Sequence, residues 1–203
     1  DGSFFKNDVL RNAFDHARKN DSSVHLVGVL TSGNVHASFK HLIALIEMAK
    51  KENWPKLCLQ LFADGKDCPP RSALSLLKKL NEEITRIGAG KLVSFTGRYY
   101  SMERDGHWDR TAKAYEILTG PKSSPLPAEK IVSDAYARGI IDEFIEPNVV
   151  EIHPIQNNDA VIFFNFREDS MRQITETFLN QSFDRFPIKN LENLFVVTMT
   201  EYQ

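Results

Sequence analysis

Short apolar runs alternate with longer segments of helical periodicity along the chain, and this alternation limits the possible folds more than any other feature. The runs that predict β-strands are residues 24–30, 57–63, 91–96, 160–166 and 194–199, with a further extended segment at 144–152. Strands separated by about ten or more helical residues cannot pair through hairpins. We therefore expect an α/β fold, in which a mostly parallel sheet is covered by helices on both faces, as three αβα layers.

The predicted helices lie between these strands, where apolar residues recur three and four positions apart. They cover residues 9–17, 39–48, 74–87, 108–118, 128–138 and 171–179. Asn7 is a suitable N-cap for the first helix, and Gly88 and Gly90 end the third. The proline-containing stretch 121–127 predicts an irregular connection.

Length and charge set further limits on the chain. Its 203 residues suit one domain with its own core, and its formal net charge is -2. Such a charge gives no general attraction to nucleic acid or to anionic lipid, so an anion site must come from a local cluster of basic groups. No segment approaches the ~18 apolar residues of a membrane span. Cys58 and Cys68 are too few for a disulfide framework, which favours a reducing cytoplasm.

Charged residues gather in the loops that follow the predicted parallel strands. Ligands of open α/β sheets bind beyond the carboxyl ends of the strands, so the loops at 31–36, 64–71, 97–110 and 167–172 are the places to look. Among the charged or titratable side chains in these loops are His36, Lys66, Asp67, Arg71, Arg98, Arg104, Asp105, Arg110, Arg167, Asp169 and Arg172. Guanidinium groups bind phosphate and carboxylate through paired hydrogen bonds. The set therefore predicts a site for a small, multiply charged anion, such as a phosphorylated hydroxy-acid.

A purely structural interpretation of the same residues stays open. The arginines could form surface ion pairs, His36 could be an ordinary hydrogen-bonded loop histidine, and Asp67 could merely shape its turn. The sequence has no dinucleotide-binding glycine motif, phosphate loop or serine-hydrolase elbow. Its histidines and aspartates are scattered rather than spaced as metal ligands, so we expect no metal within this chain.

Five segments, in order and at matching spacing, resemble the inserted substrate-binding domain of cofactor-independent phosphoglycerate mutases, and the likeness runs from Asp1 to Tyr202. The segments are LVGVLTSGNVHASFKHLIALIEMAKK, LFADGKDCPPRSALSLLKKL, GRYYSMERDGHWDRTAKAYEIL, DAVIFFNFREDSMRQIT and FVVTMTEY. This resemblance implies an isomerase of glycolysis and gluconeogenesis that interconverts 3-phosphoglycerate and 2-phosphoglycerate. It transfers the phosphoryl group through a phosphoserine, with the help of two Mn²⁺ or Mg²⁺ ions.

In that family the serine and the metal ligands belong to a second domain, which resembles alkaline phosphatase. The resemblance therefore implies that residues 1–203 form a single substrate-binding domain of a larger two-domain enzyme. We expect the metal-bearing domain to lie outside this chain, which begins without Met, and the chain to be inactive alone. The expected partners are the phosphoglycerate substrate and the second domain of the same protein, in a cytoplasmic monomer.

The resemblance also assigns roles to residues. His36, Asp67, Arg98 and Arg104 occupy substrate-binding positions of the family, and Arg167 occupies the first position of a further arginine pair. Lys66 stands where the family has an arginine, and we include it among the substrate-binding residues. Asp67 is the expected catalytic residue, acting as general base and acid toward the glycerate hydroxyls. On these roles, Arg98→Ala or Asp67→Ala should abolish turnover and leave the stability nearly unchanged.

The chain departs from the family pattern at several positions of the expected site. Asn34 replaces a glycine, His107 stands where an arginine is common, and Ser170 replaces the second arginine of the pair. Losing that arginine removes an anion contact, and Arg172 could substitute for it, although a helix would turn Arg172 away from the direction of Ser170. Two alternatives therefore stay open. The chain could be a module that binds a phosphorylated metabolite, or part of a mutase or phosphohydrolase for another phosphorylated substrate.

Overall fold

A computed structural model describes residues 2–120, 123–180 and 182–202 of the chain. Its centre is a six-stranded sheet with the strand order β4-β3-β2-β1-β5-β6. The strands are β1 Val24–Leu30, β2 Leu57–Ala63, β3 Lys91–Gly97, β4 Asn148–Val149, β5 Ala160–Phe163 and β6 Phe195–Thr198. All neighbouring strands pair in parallel except β4, which is antiparallel to β3.

Helices connect the strands, and their ends follow local capping chemistry. They are α1 Asp8–Asn20, α2 Phe39–Lys51, α3 Ala73–Ile87, α4 Arg98–Ser101, α5 Trp108–Thr119, α6 Ala128–Ala137 and α7 Arg172–Leu179, with 3-10 turns at Ser3–Lys6 and Asp142–Phe144. The Asn7 side chain accepts a hydrogen bond of 3.1 Å from the Leu10 N–H, as an N-cap does. Gly88 ends α3 in the left-handed conformation, at φ 71°.

The strand order explains why helices cover both faces of the sheet. From the central strand β1 the chain moves outward through β2 to β3, and it later returns to β5 and β6 on the other side of β1. Right-handed crossovers in these two opposite directions place their helices on opposite faces. Accordingly, α3 packs against α2 and α6, whereas α5 packs against α7. Every residue of β1 and β2 is buried, and the predicted three-layer α/β fold is confirmed.

Three local predictions differ from the structure. The strand expected to reach residue 166 ends at Phe163, because the N–H groups of Phe166 and Arg167 donate instead to the carbonyl of His36, at 2.8 and 3.3 Å. The extended segment at 144–152 contains only the two-residue strand β4, and the short helix α4 was not predicted. Residues 121 and 122 of the predicted loop at 121–127 lie outside the described residues. No helix in the described ranges is long and apolar enough to cross a membrane.

Two glycines allow loops at the carboxyl edge of the sheet to approach one another closely. A Cβ atom on Gly33 would lie 2.2 Å from the carbonyl oxygen of Asp67, so the loop after β1 touches the loop after β2. A Cβ atom on Gly97 would lie 2.3 Å from the carbonyl oxygen of Glu143. Both contacts are shorter than any side chain permits. The lack of a side chain at these two positions therefore lets the loops that carry the predicted site pack against their neighbours.

Candidate functional site

A cleft of about 420 Å³ opens at the carboxyl ends of β1, β2, β3 and β5, where the strand order reverses. All six residues expected from the sequence to form the site line this one cleft: His36, Lys66, Asp67, Arg98, Arg104 and Arg167. The cleft is also lined by Tyr99, Met102, Glu103, Asp105, Arg110, Glu143, Phe144 and Ser170. The loops thus bring together residues that are far apart in the sequence.

Arg98 lies at the floor of the cleft, between two carboxylates. Its Nη1 donates to Asp64 Oδ1 at 2.5 Å and to Asp67 Oδ2 at 2.6 Å. The Asp64 side chain is fully buried, whereas that of Asp67 is 20% exposed and faces the cleft. Arg98 is nearly buried as well. The hydrogen bonds that Arg98 donates to both carboxylates outweigh burial and raise the pKa of Arg98, so the guanidinium stays charged.

Asp64 fastens three loops to one another. Its Oδ2 accepts a hydrogen bond from the Thr31 hydroxyl, and its Oδ1 accepts from the N–H groups of Lys66 and Asp67 as well as from Arg98. Burial alone would raise the pKa of Asp64, but the hydrogen bonds from Thr31, the Asp67 N–H and Arg98 hold that pKa below its ordinary value. Asp64 is therefore an ionised carboxylate that sets the positions of Arg98 and Asp67.

His36 forms the side of the cleft next to Asp67. Its imidazole is buried, with Nδ1 at 3.0 Å from Ser170 Oγ and Nε2 at 3.6 Å from Asp67 Oδ2. Burial and the charge of Arg98 lower the pKa of His36 below its ordinary value, and the neighbouring Asp67 opposes this only in part. The ring is accordingly neutral at neutral pH.

A second basic group lies at the mouth of the cleft. Arg104 and Arg167 both donate to Asp169 Oδ2, at 2.6 and 2.9 Å, and each arginine side chain is about half exposed. Burial would raise the pKa of Asp169, but the hydrogen bond and charge of Arg167, with the charge of Arg104, lower it. Two guanidinium groups thus share one carboxylate, which leaves an excess positive charge facing the opening. An anion is the natural ligand for this group.

Glu103 organises the loop that carries Arg104. Its Oε1 accepts from the N–H groups of Arg104 and Asp105, and its Oε2 accepts from Arg110 Nη1 at 2.6 Å. Arg110 in turn stacks over the ring of Tyr99, with its Cζ at 4.0 Å from the ring centroid. Hydrogen bonds from the Asp105 N–H, His107 and Arg110 outweigh burial and lower the pKa of Glu103. Glu103 is therefore the ionised support of this side of the cleft.

Some loop residues that the sequence grouped together do not join the cleft. Arg71 stacks on Tyr136, with its Cζ at 5.2 Å from the ring centroid, and Arg172 pairs with Glu168 on the exposed side of α7. Arg172 therefore does not take the place of the arginine that the family has at position 170. Ser170 itself is buried against His36. Lys66 is the most exposed of the six expected residues, and its Nζ lies 3.9 Å from Glu143.

Sequence reasoning missed several residues that shape the cleft. Asp64 directly follows β2, so the rule that singled out Asp67 could have found Asp64 as well. Glu103 carried no pattern of its own, and its role depends on the fold of residues 103–107. Tyr99 and Phe144 form an aromatic edge with ring centroids 5.1 Å apart, which joins segments that are distant in the sequence.

The charge arrangement fits the binding of an anion better than the binding of a metal. Within residues 2–120, 123–180 and 182–202, no group of three or more His, Cys, Asp or Glu side chains could hold a metal ion. Two carboxylates of the cleft, Asp67 and Glu103, are instead engaged with guanidinium groups. Chemically, the cleft can bind a negatively charged ligand, with one partly exposed carboxylate, Asp67, within reach of its hydroxyl groups.

Comparison with known proteins identifies relatives along the full chain. The family model described as "BPG-independent PGAM N-terminus (iPGM_N)" matches residues 1–203. A 2,3-bisphosphoglycerate-independent phosphoglycerate mutase of Methanosarcina acetivorans is 44% identical over 99% of this chain, and one of Staphylococcus haemolyticus is 42% identical over all of it. The chain spans 41% of the length of each of these two relatives.

A solved structure shows the same fold. The crystal structure of Leishmania mexicana phosphoglycerate mutase at low cobalt concentration matches with a TM-score of 0.92 and 21% identity, over 99% of this chain and 39% of that one. At this identity the match establishes the fold alone. The family model and the two sequence relatives go further, and they show that the chain belongs to the family of N-terminal domains of 2,3-bisphosphoglycerate-independent phosphoglycerate mutases.

Proposed function

We propose that this chain is the substrate-binding domain of a 2,3-bisphosphoglycerate-independent phosphoglycerate mutase, which interconverts 3-phosphoglycerate and 2-phosphoglycerate in glycolysis and gluconeogenesis. The observation that carries the proposal is the single cleft in which all six expected residues meet. The mutase names of the relatives support the same reaction. The domain alone binds the substrate and does not turn it over, since the phosphoryl-accepting serine belongs to the rest of the protein.

Arg104 and Arg167 are suited to hold the charged groups of the substrate. Both are half exposed and project at the mouth of the cleft, with Asp169 as their shared counter-ion. A guanidinium fork binds a carboxylate or a phosphoryl group through two parallel hydrogen bonds. Within the described residues, the Arg98 side chain donates to its two carboxylates through Nη1, so Nε and Nη2 are suited to donate to a ligand. Lys66 contributes a mobile point charge at the rim.

Asp67 is suited to move the proton of a glycerate hydroxyl. Of the two carboxylates that pair with Arg98 in the described residues, only Asp67 is also exposed to the open cleft. As general acid it would give a proton to the substrate oxygen from which the phosphoryl group departs, and as general base it would take the proton from the hydroxyl that then attacks the phosphoserine. Arg98 and Asp64 hold the carboxylate in place for both steps.

The remaining properties of the whole protein are part of the same proposal. Two Mn²⁺ or Mg²⁺ ions would lie in a second domain of the alkaline phosphatase superfamily, where they would stabilise the transferred phosphoryl group. The residues of this chain do not fit those ions, because the described part has no suitable ligand group. We further propose a cytoplasmic monomer that binds neither nucleic acid nor membrane.

An Asp67→Asn variant of the full-length protein tests the proposal. We expect the wild type to convert 3-phosphoglycerate in the presence of Mn²⁺, and kcat of the variant to fall by about 10² to 10⁴ because proton transfer is lost. Asp134→Asn is the matched control, since Asp134 lies on α6 and its carboxylate pairs with Lys130, away from the cleft. It should keep wild-type kinetics.

Two results would contradict the proposal. One is near-normal turnover by Asp67→Asn, and the other is wild-type turnover of a different phosphorylated acid but not of 3-phosphoglycerate. Arg98→Ala is a poor test, because it would leave Asp64 buried without its cation. Removing one partner of a buried ion pair costs about 3 to 5 kcal/mol, so the expectation that this variant keeps its stability must be revised.

A further inference from the structure

His36 and Ser170 form a hydrogen-bonded, largely buried pair in the wall of the cleft. Ser170 Oγ lies 3.0 Å from His36 Nδ1, and only 3% of Ser170 and 4% of His36 is exposed. The other ring nitrogen, Nε2, lies 3.6 Å from Asp67 Oδ2 on the cleft side. A neutral imidazole carries its hydrogen on one nitrogen only, and the hydrogen bond at the other nitrogen decides which one.

The serine hydroxyl favours a bare Nδ1. In the described part of the chain, Nδ1 of His36 is the hydrogen-bond partner of Ser170 Oγ, and no second side-chain partner is found. If Nδ1 carried the hydrogen, it would donate to Oγ and leave the hydroxyl hydrogen buried without an acceptor. Buried polar groups rarely stay unpaired, because burial removes them from water without a replacement partner.

The opposite side of the ring favours a hydrogen on Nε2. The carboxylate of Asp67 faces Nε2 and attracts a positive hydrogen rather than a lone pair. The other charged groups that act on the ring are Arg98, Arg167 and Asp169. Burial and the charge of Arg98 lower the pKa of His36, in agreement with a neutral ring.

We propose that Ser170 is a positioning residue that fixes His36 as the neutral tautomer with its hydrogen on Nε2. His36 then presents an N–H donor to an anionic oxygen in the cleft. The other tautomer would present a lone pair and repel the same oxygen. Ser170 thus determines whether His36 attracts or repels the ligand, although Ser170 itself is almost fully buried and offers little surface to the ligand. The nature of the anion rests on the proposed function, whereas the position of the hydrogen does not.

Nitrogen NMR of the full-length protein with ¹⁵N-labelled histidine tests the assignment directly. The His36 signals are identified by their loss in His36→Gln. In the wild type we expect a protonated Nε2 and an unprotonated Nδ1. In Ser170→Ala we expect both nitrogens to shift toward the averaged values of a mixed tautomer. Ser101→Ala is the matched control, because the buried Ser101 hydroxyl donates to the Gly97 carbonyl and not to His36.

Binding of inorganic phosphate supplies a second measurement. We expect Ser170→Ala to bind phosphate about twofold more weakly, because only about half of the population then carries the hydrogen on Nε2, and Ser101→Ala to bind as the wild type does. A wild-type hydrogen on Nδ1, or an unchanged tautomer in Ser170→Ala, would overturn the inference. The tautomer measurement needs no turnover, so a protein without mutase activity would refute the proposed function and leave this assignment intact.

Discussion

At the scale of single residues, buried carboxylates determine where the cleft's cations lie. Asp64 is hidden from solvent yet contacts the hydroxyl of Thr31, two N–H groups of its own loop and the guanidinium of Arg98. The sequence indicated the partly exposed residues of these ion pairs, such as Asp67, Arg104 and Arg167, because loops after parallel strands are known ligand sites. It did not indicate Asp64 or Glu103, whose importance comes from partners that only the folded chain supplies. The arginines were expected either to form ion pairs or to form a binding site. Each arginine of the cleft does the first and is placed for the second, since it pairs with a carboxylate and also lines the cleft.

Asp64→Asn should therefore destabilise the protein although it changes few atoms. The amide keeps the shape and loses the charge that pairs with Arg98, and we expect the free energy of unfolding to fall by about 1.5 to 3 kcal/mol at pH 7. Because the pKa of Asp64 is lowered on folding, its stabilisation is present above its ordinary pKa and is lost as the pH falls through the folded value. The difference from the wild type in urea denaturation should thus shrink in acid.

Asp105→Asn serves as the control for that experiment. Asp105 is exposed and lies on the same cleft, so the same substitution there should change the free energy of unfolding by no more than about 0.5 kcal/mol. Equal effects of the two substitutions, or a difference that does not depend on pH, would contradict the role given to Asp64.

At the scale of elements, prediction succeeded where one strong pattern determined the structure. The runs at β1 and β2 match their strands at both ends, since a strand buried on both faces is apolar throughout. Prediction failed where tertiary contacts decide. β5 ends early because the N–H groups of Phe166 and Arg167 donate to the His36 carbonyl. β4 has only two residues and pairs with a single neighbour, β3, at the edge of the sheet. Neither contact leaves a periodic signal.

The close approach at Gly97 provides a test at this scale. Gly97 has φ -64°, which suits any residue, so an alanine there would be excluded only by crowding, against the Glu143 carbonyl and the Ile145 nitrogen. We expect Gly97→Ala to lower the free energy of unfolding by about 1 to 3 kcal/mol, as overpacking does, and to displace the adjacent Arg98. Urea denaturation measures the first effect, and weaker phosphate binding by the full-length protein measures the second.

Gly106→Ala separates crowding from backbone strain. Gly106 has φ +86° and no atom near its missing Cβ, so alanine there carries only the cost of a left-handed conformation, about 1 kcal/mol. If Gly97→Ala were as stable as the wild type, the contact with residue 143 would not hold the loop that begins α4.

At the scale of the whole molecule, the order of the strands places the cleft and the first and last described segments at the same edge of the sheet. The loops that follow β1, β2, β3 and β5 meet at the edge where the strand order reverses. Both ends of the chain are also fastened near this edge. Phe4 stacks on His41, His41 contacts Phe166, and the Tyr202 hydroxyl donates to the carbonyl of Asn165.

The buried His36 should make the stability of the molecule depend on pH near neutrality. Its pKa is lowered on folding, so the unfolded chain binds the proton more tightly and the free energy of unfolding falls as the pH drops below about 6.5 toward the folded pKa. For one group the slope cannot exceed about 1.4 kcal/mol per pH unit. The carboxylates with lowered pKa act only in more acidic solution.

Urea denaturation between pH 5 and about 7.5 measures this slope. In His36→Gln the contribution should be absent, so the curves of variant and wild type should converge as the pH falls. Parallel curves across that interval would show that His36 does not titrate differently in the folded and unfolded chain.

The hydrogen bonds from Phe166 and Arg167 to the His36 carbonyl have a consequence for biosynthesis. The histidine is translated early, but the backbone that anchors it and the serine that orients its ring emerge from the ribosome near the end of the domain. A nascent chain that stops before residue 166 can pair β1, β2 and β3 and still has no complete receptor for an anion. Ligand capture is thus reserved for polypeptides that have been made at least as far as Ser170.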